Sequence, residues 1–107
     1  MAVKVIIERT VSADNQEEVS ELLKELRSRA VRQPGYISGE TLFSMDRPGT
    51  YVVISTWESV NHWKAWKNDA LRQEVISKID PLLLSEREIG VFADSPLSWV
   101  RTSRPSG

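Results

Sequence analysis

The sequence predicts an α+β fold whose elements follow the order β-α-β-β-α-β. Val3, Val5 and Ile7 recur at every second position, which is typical of a strand with a buried face. Apolar residues with helical spacing follow, and two further strand-like segments are then separated by a short turn. A second helical region and a last alternating segment complete this order. It is the split β-α-β arrangement of ferredoxin-like folds, an antiparallel sheet with helices on one face.

The first strand and the first helix carry separate signals. The alternation covers Ala2–Val11, and Asp14 with Glu17 resembles a capping box that opens the helix. Apolar positions with helical spacing then form a single stripe: Val19, Leu22, Leu23, Leu26 and Ala30. Pro34-Gly35 is expected to end this helix.

Two strands and a turn occupy the middle of the chain. Tyr36–Met45 and Thr50–Glu58 are the predicted strands, and Pro48 and Gly49 lie in the turn between them. Pro48-Gly49 favours a type II turn, because its third position requires a positive φ. Both faces of Thr50–Glu58 carry apolar side chains, so both faces should be covered. Helices can cover one face, and a second copy of the sheet can cover the other.

The second helical region contains two caps. Ser59 is a suitable N-cap for a helix that carries Trp63 and Trp66. Asp69 is the candidate cap of the next helix, which is expected to end at Pro81. The apolar stripe predicted for that helix is Leu71, Val75, Ile76 and Ile79.

The domain limits follow from the last strand, which is expected over Glu86–Ala93. Residues 1–94 are predicted to form one domain. Residues 95–107 contain two prolines, several serines and Trp99, and they are expected to be a partly disordered tail.

The composition excludes several classes of function. The 107 residues carry 14 Lys and Arg against 15 Asp and Glu, a balance that argues against nucleic-acid binding. The absence of cysteine excludes disulfides, thiolate catalysis and cysteine-based zinc sites, and one histidine with dispersed carboxylates gives no support for a metal site. No segment resembles a signal peptide or a membrane span, so a cytoplasmic domain without membrane contact is expected.

Aromatic residues are concentrated in Tyr51–Asn68, which holds three of the four tryptophans and the only histidine. Trp57 and Trp63 are interpreted as core residues. Trp66 lies four residues after His62, and therefore beside it on the helix surface. We interpret Trp66 as the better pocket candidate.

Three short motifs carry a family resemblance. Gln33-Pro34-Gly35-Tyr36, then Thr56-Trp57-Glu58-Ser59 at the end of a strand, then Trp63-Lys64-Ala65-Trp66 resemble the antibiotic biosynthesis monooxygenase family. The resemblance extends from about Ala2 to Phe92, and its motifs are moderately specific, since they are short and built from core-type residues. It implies a homodimer whose two sheets pack into a dimeric α+β barrel, with a ligand cavity between the helices and the sheet of each subunit.

The resemblance implies two kinds of chemistry. Haem-degrading members use an asparagine, a tryptophan and a histidine, and the corresponding positions here are Glu8, Trp66 and Ile76. Isoleucine cannot bind iron and an ionised glutamate cannot donate a hydrogen bond, so haem is disfavoured and no cofactor is expected. The polyketide-type branch oxidises phenolic compounds without metal or flavin. It needs a dry aromatic pocket, a proton acceptor and hydrogen-bond donors.

The candidate catalytic residues are Trp66, His62 and Tyr51. Each has a structural alternative: His62 as a surface residue or cap partner, Tyr51 as a packing residue, and Trp66 as core. The weaker candidates are the carboxylates Glu8, Glu40 and Glu58. Glu8 alternatively faces solvent or pairs with an arginine such as Arg9.

The function expected from these residues and from the resemblance is a monooxygenase acting on a small phenolic or quinone-like compound. One alternative is a non-catalytic homodimer that binds a small apolar ligand or stabilises a partner. The other is a divergent haem-binding or haem-degrading enzyme. A catalytic pocket would contain ionisable groups, whereas a pure binding pocket would be almost wholly apolar.

Overall fold

The computed structural model describes residues 1–95 and confirms the ferredoxin-like α+β fold. Four antiparallel strands form one sheet in the order β2-β3-β1-β4. The strands are β1 (Val3–Thr10), β2 (Tyr36–Phe43), β3 (Thr50–Trp57) and β4 (Glu88–Ala93). The helices are α1 (Gln16–Ala30), α2 (Val60–Lys67) and α3 (Ala70–Ile79), with 3₁₀ turns at Ala13–Asn15 and Asp80–Leu82. The tail predicted beyond residue 94, including Trp99, lies almost wholly outside the described residues.

Strand register separates the two faces of the sheet. Val3 pairs with Trp57 and Ile7 with Val53, so the odd-numbered residues of β1 and β3 share one face. The helices cover this face, and the buried core lies beneath them. The core residues are Val3, Val5, Ile7, Val11, Val19, Leu23, Leu26, Ala30, Trp57, Trp63, Trp66, Val75, Ile76 and Ile79. The stripe predicted for α1 is buried except for the half-buried Leu22.

The opposite face of the sheet is also partly apolar. Ile6 pairs with Ile54, and Leu42 pairs with Val52, on the side away from the helices. Leu42 is 47% exposed, and Phe92 of the edge strand β4 is 54% exposed. We call this surface the open sheet face. The two-sided apolar character predicted for the third strand is therefore confirmed.

Two of the three predicted caps are confirmed. Ser59 Oγ accepts a hydrogen bond from the backbone N–H of His62 at 3.2 Å, and Asp69 accepts one from Leu71 at 2.8 Å. The capping box at Asp14 is wrong. Asp14 lies inside the 3₁₀ turn that precedes α1, and Asn15 at the N-cap makes no side-chain cap bond. The turn tightens the entry to the helix and moves Asp14 away from the capping position.

The turn between β2 and β3 has the predicted geometry. The Thr50 N–H donates to the Arg47 carbonyl at 3.2 Å, and Gly49 has φ +85° at the third position. The Gly49 carbonyl accepts from Val11 N–H at 2.8 Å, which ties the turn to the end of β1. None of the helices within residues 1–95 is both long enough and apolar enough to cross a membrane.

Candidate functional site

A groove runs between α1 and the strands β2 and β3 on the helix-covered side of the sheet. Its walls are mostly apolar and include Leu26, Val53, Tyr36 and Trp57. The Arg27 guanidinium crosses it and donates to the Gly39 carbonyl at 2.8 Å. The volume of this recess is about 50 Å³ and that of the adjoining recess along α1 is about 170 Å³, whereas small-molecule sites usually have about 300–1,000 Å³. A ligand with several rings would therefore have to widen the groove.

Tyr51 lies at the far end of the same groove. A second recess is lined by Ser20, Leu23, Lys24, Arg27, Thr41 and Tyr51, and it shares Leu23, Arg27 and Thr41 with the first. The two recesses are thus continuous along α1. Of the three candidate catalytic residues, Tyr51 is the one that lines this groove.

The near end of the groove is aromatic. The rings of Tyr36 and Trp57 meet edge to face with centroids 5.4 Å apart, and Trp57 also packs against Trp63 at 6.1 Å. The Trp57 indole N–H donates to Ser55 Oγ at 3.0 Å, so its polar atom is satisfied. Trp57 is completely buried, as the sequence suggested, and it also forms part of the groove wall.

Trp66 lies in the core rather than on the groove wall. It is 4% exposed, and Trp63 is 3% exposed. Neither indole is among the residues that line the groove. Burial therefore does not separate a pocket role for Trp66 from a structural role for Trp63.

His62 belongs to the start of α2, at the opposite end of β3 from Tyr51. Its Nδ1 lies 2.7 Å from Ser59 Oγ, the N-cap hydroxyl. A Cβ atom at Gly35, which has φ +82°, would overlap the His62 ring, so the imidazole is packed against the turn. Because Tyr51 and Trp57 are six residues apart on one strand, about 20 Å separates the two ends. His62 and Tyr51 are not brought together.

The three weaker carboxylate candidates are dispersed. Glu8 lies on the open sheet face and forms an ion pair with Arg47 at 3.4 Å. The suggested pairing with Arg9 is wrong, because adjacent residues of a strand point to opposite faces. Glu40 is exposed on β2 and pairs with Ile54, which places its side chain on the open sheet face, and Glu58 is exposed beyond the end of β3.

Two buried arginines were missed by the sequence analysis. Arg9 and Arg72 are each 1% exposed. The stripe predicted for α3 included Leu71, which is 49% exposed, while Arg72 takes the inward position. The signals were present: Arg9 continues the alternation of β1, and Arg72 precedes Val75, Ile76 and Ile79 at helical spacing.

The residues do not fit a haem site of the ordinary kind. Ile76, at the position expected for the iron ligand, is a buried apolar residue in the core. An isoleucine side chain has no atom that can bind iron. Within residues 1–95, no three side chains of the types His, Cys, Asp and Glu lie together in a way that could hold a metal ion.

The sequence is similar to parts of two curated Streptomyces proteins. The chain is 27% identical to protein SchA of Streptomyces halstedii over 79 residues, which is 74% of this chain and 21% of SchA. It is 26% identical over 104 residues to the 42.8 kDa protein in the whiE locus of Streptomyces coelicolor, covering 97% of this chain and 25% of that protein. The chain therefore spans about a quarter or less of the length of these curated relatives.

A solved structure shares the fold over almost the whole chain. SnoaB, a cofactor-independent oxygenase from Streptomyces nogalater, superimposes with a TM-score of 0.78 at 19% identity, covering 98% of each chain. The family model described as antibiotic biosynthesis monooxygenase matches residues 2–77, which is more than two thirds of the sequence. This chain therefore belongs to the antibiotic biosynthesis monooxygenase family.

Proposed function

We propose that this chain is a cofactor-independent monooxygenase that oxidises a small phenolic or quinone-like compound in the groove between α1 and β2–β3. The observation that carries the proposal is the groove itself, which has aromatic side chains at both ends and, in mostly apolar walls, the ionisable side chains of Arg27 and Tyr51. Family membership supports an oxygenase, and SnoaB provides a structural neighbour with cofactor-independent chemistry. A cytoplasmic location is part of the same proposal.

The proposed chemistry uses the electron-rich substrate itself. A deprotonated phenol can transfer an electron to O₂. One oxygen atom then forms a bond to a ring carbon, and the other is released as water together with two hydrogens from the substrate. The protein then has to exclude water, hold the ring system and stabilise the anion. The groove supplies these elements through Trp57 and Tyr36 as ring contacts, and through Tyr51 and Arg27 as hydrogen-bond donors.

The candidate residues have distinct proposed roles. Tyr51 is proposed to hydrogen-bond the substrate oxygen, because its side chain lines the groove. Trp66 and His62 are the other two candidate catalytic residues, and they are tested after Tyr51. Trp66 would act from the core, and His62 would have to leave its contact with Ser59 to accept a proton.

The test is oxygen consumption with a panel of anthrones and hydroquinones. We expect the wild-type chain to consume O₂ with at least one compound in the presence of a chelator. Tyr51→Phe should lower kcat by about tenfold, the value of one lost hydrogen bond, while ligand binding changes little. Lys78→Gln, an exposed substitution on α3, is the matched control and should leave the rate unchanged.

The same assay tests the other two candidates. A lower kcat with intact binding in His62→Ala would support proton transfer by His62, and Trp66→Phe should weaken binding if Trp66 shapes the pocket. Binding of the panel without oxygen consumption would contradict the enzyme and favour the ligand-binding alternative. Equal rates of oxygen consumption in the wild type, Tyr51→Phe, His62→Ala and Trp66→Phe would contradict the proposed catalytic residues.

We also propose that the chain forms a homodimer through the open sheet face. The exposed Leu42 and Phe92 flank the paired Ile6 and Ile54, a surface that a second sheet can bury. Sedimentation at micromolar concentration should give about twice the chain mass of 12.2 kDa. Ile54→Lys should shift the protein to monomer, whereas Leu71→Lys on the helical side should not. A monomeric wild-type chain would contradict the dimer.

A further inference from the structure

Three arginines converge under the helical layer at the end of β1. Arg9 points inward from β1, and Arg72 points inward from α3. Arg87 directly precedes β4, and because Glu88 pairs with Glu8, the same register places Arg87 opposite Arg9. We call Arg9, Arg72 and Arg87 the arginine cluster.

The arginine cluster carries a surplus of positive charge. Asp80 is the carboxylate that faces it, and its Oδ2 accepts from Arg87 at 2.8 Å. Burial, together with repulsion from Arg72 and Arg87, lowers the pKa of Arg9 to about 10. Burial and repulsion from Arg87 also lower the pKa of Arg72 to about 10. Both remain cations at neutral pH, so within residues 1–95 the three positive charges exceed the negative charge of Asp80, the carboxylate that acts on Arg9 and Arg72.

Most of the buried donors in the cluster have no acceptor. Within residues 1–95, all three nitrogens of the Arg9 guanidinium are buried without a hydrogen-bond partner. The same holds for Nη2 of Arg72 and Nε of Arg87. Arg72 is otherwise held by the Trp63 ring, 5.3 Å from its guanidinium carbon, and by a long bond of 3.4 Å to the Lys67 carbonyl. Arg72 and Arg87 are thus each anchored by a neighbouring group, while these five buried nitrogens lack an acceptor within residues 1–95.

Buried water could satisfy these donors but could not balance their charge. An uncompensated buried cation is strongly unfavourable, and replacing buried charged groups by apolar side chains of similar volume is often neutral or stabilising. An oxyanion supplies both acceptors and negative charge, and guanidinium groups bind planar and tetrahedral oxyanions through paired N–H donors. A surface depression lined by Asp80, Leu83, Ser85, Glu86 and Arg87 connects solvent with one member of the cluster, Arg87.

We propose that the arginine cluster is an oxyanion-binding site that accepts a carboxylate or phosphate group. The site lies outside the groove, and the proposal does not depend on the oxygenase activity. The free anion and the anionic group of a larger ligand share this chemistry. Inorganic phosphate is a suitable probe for a phosphate site, and benzoate is a suitable probe for a carboxylate site.

The test is isothermal titration at pH 7.5 and constant ionic strength with sodium phosphate, sodium benzoate or sodium chloride. We expect saturable binding of phosphate or benzoate with one site per chain, and no such binding of chloride. Arg9→Met should weaken that binding by at least about tenfold, because it removes a charged donor pair. It should also raise the melting temperature in chloride alone. Arg32→Gln, an exposed arginine after α1, should bind as the wild type does.

Saturation by phosphate alone identifies a phosphate site, and saturation by benzoate alone identifies a carboxylate site; either supports the proposal. Arg87→Gln tests it independently if Arg9→Met does not fold, since Arg87 is partly exposed, and it should weaken binding to a similar degree. Heats equal to dilution with both probes would overturn the proposal. The proposal would also be overturned if phosphate raised the melting temperature of the wild type and of Arg9→Met by the same amount, because that rise would be a general salt effect.

Discussion

Trp63→Ala is expected to lower the free energy of unfolding by about 3–5 kcal/mol, as large-to-small changes in a packed core do. Trp63 is almost fully buried and connects three parts of the molecule. It packs on Trp57 of β3 at 6.1 Å, and its ring supports the Arg72 guanidinium of α3. Alanine would leave a cavity between α2 and the sheet and would remove the aromatic contact of a buried cation.

Urea denaturation at a fixed protein concentration measures this change. Val60→Ala on the same helix is the matched control, because Val60 is exposed, and it should change the free energy of unfolding by less than about 0.5 kcal/mol. A loss below about 1 kcal/mol for Trp63→Ala would contradict the packing of Trp63 against Trp57 and Arg72. The comparison also bears on Trp66, whose similar burial predicts a comparable cost for Trp66→Ala.

The fold could be predicted because its signals are local. The alternation in β1, the apolar stripe of α1 and the caps Ser59 and Asp69 depend on a few neighbouring residues, and the structure bears them out. The error at Asp14 is of the same scale, since a single 3₁₀ turn moved the N-cap of α1 by one residue, from Asp14 to Asn15. Aromatic density around Trp57 likewise predicted the core correctly.

The candidate site depends on distances that the sequence does not encode directly. Tyr51 and His62 are eleven positions apart, yet β3 is extended and separates them by most of its length. The groove requires the packing of α1 against β2 and β3, which no local pattern specifies. The strand alternation at Arg9 and the helical spacing at Arg72 both indicated inward positions. Neither arginine was expected in the core, because charged residues are almost never fully buried.

Gly49→Ala is expected to lower the free energy of unfolding by about 2–3 kcal/mol. Gly49 has φ +85°, where an alanine costs about 1–2 kcal/mol of strain. A Cβ atom there would also overlap the backbone carbonyl oxygen of Val11. This oxygen is a backbone atom and cannot rotate away as a side chain could, and the bond from Val11 N–H to Gly49 O at 2.8 Å holds the two segments together. The turn would have to separate from β1, losing about one hydrogen bond.

Pro48→Ala in the same turn is the control for this substitution. It keeps the positive φ on Gly49 and should cost less than about 1 kcal/mol, mainly through greater freedom of the unfolded chain. Both variants are compared by urea denaturation at equal protein concentration. If Gly49→Ala were no less stable than Pro48→Ala, the close contact between Gly49 and the Val11 carbonyl oxygen would be contradicted. Since Thr50 and Tyr51 follow directly, a displaced turn should also move the Tyr51 end of the groove, and Gly49→Ala should then alter ligand binding where Pro48→Ala does not.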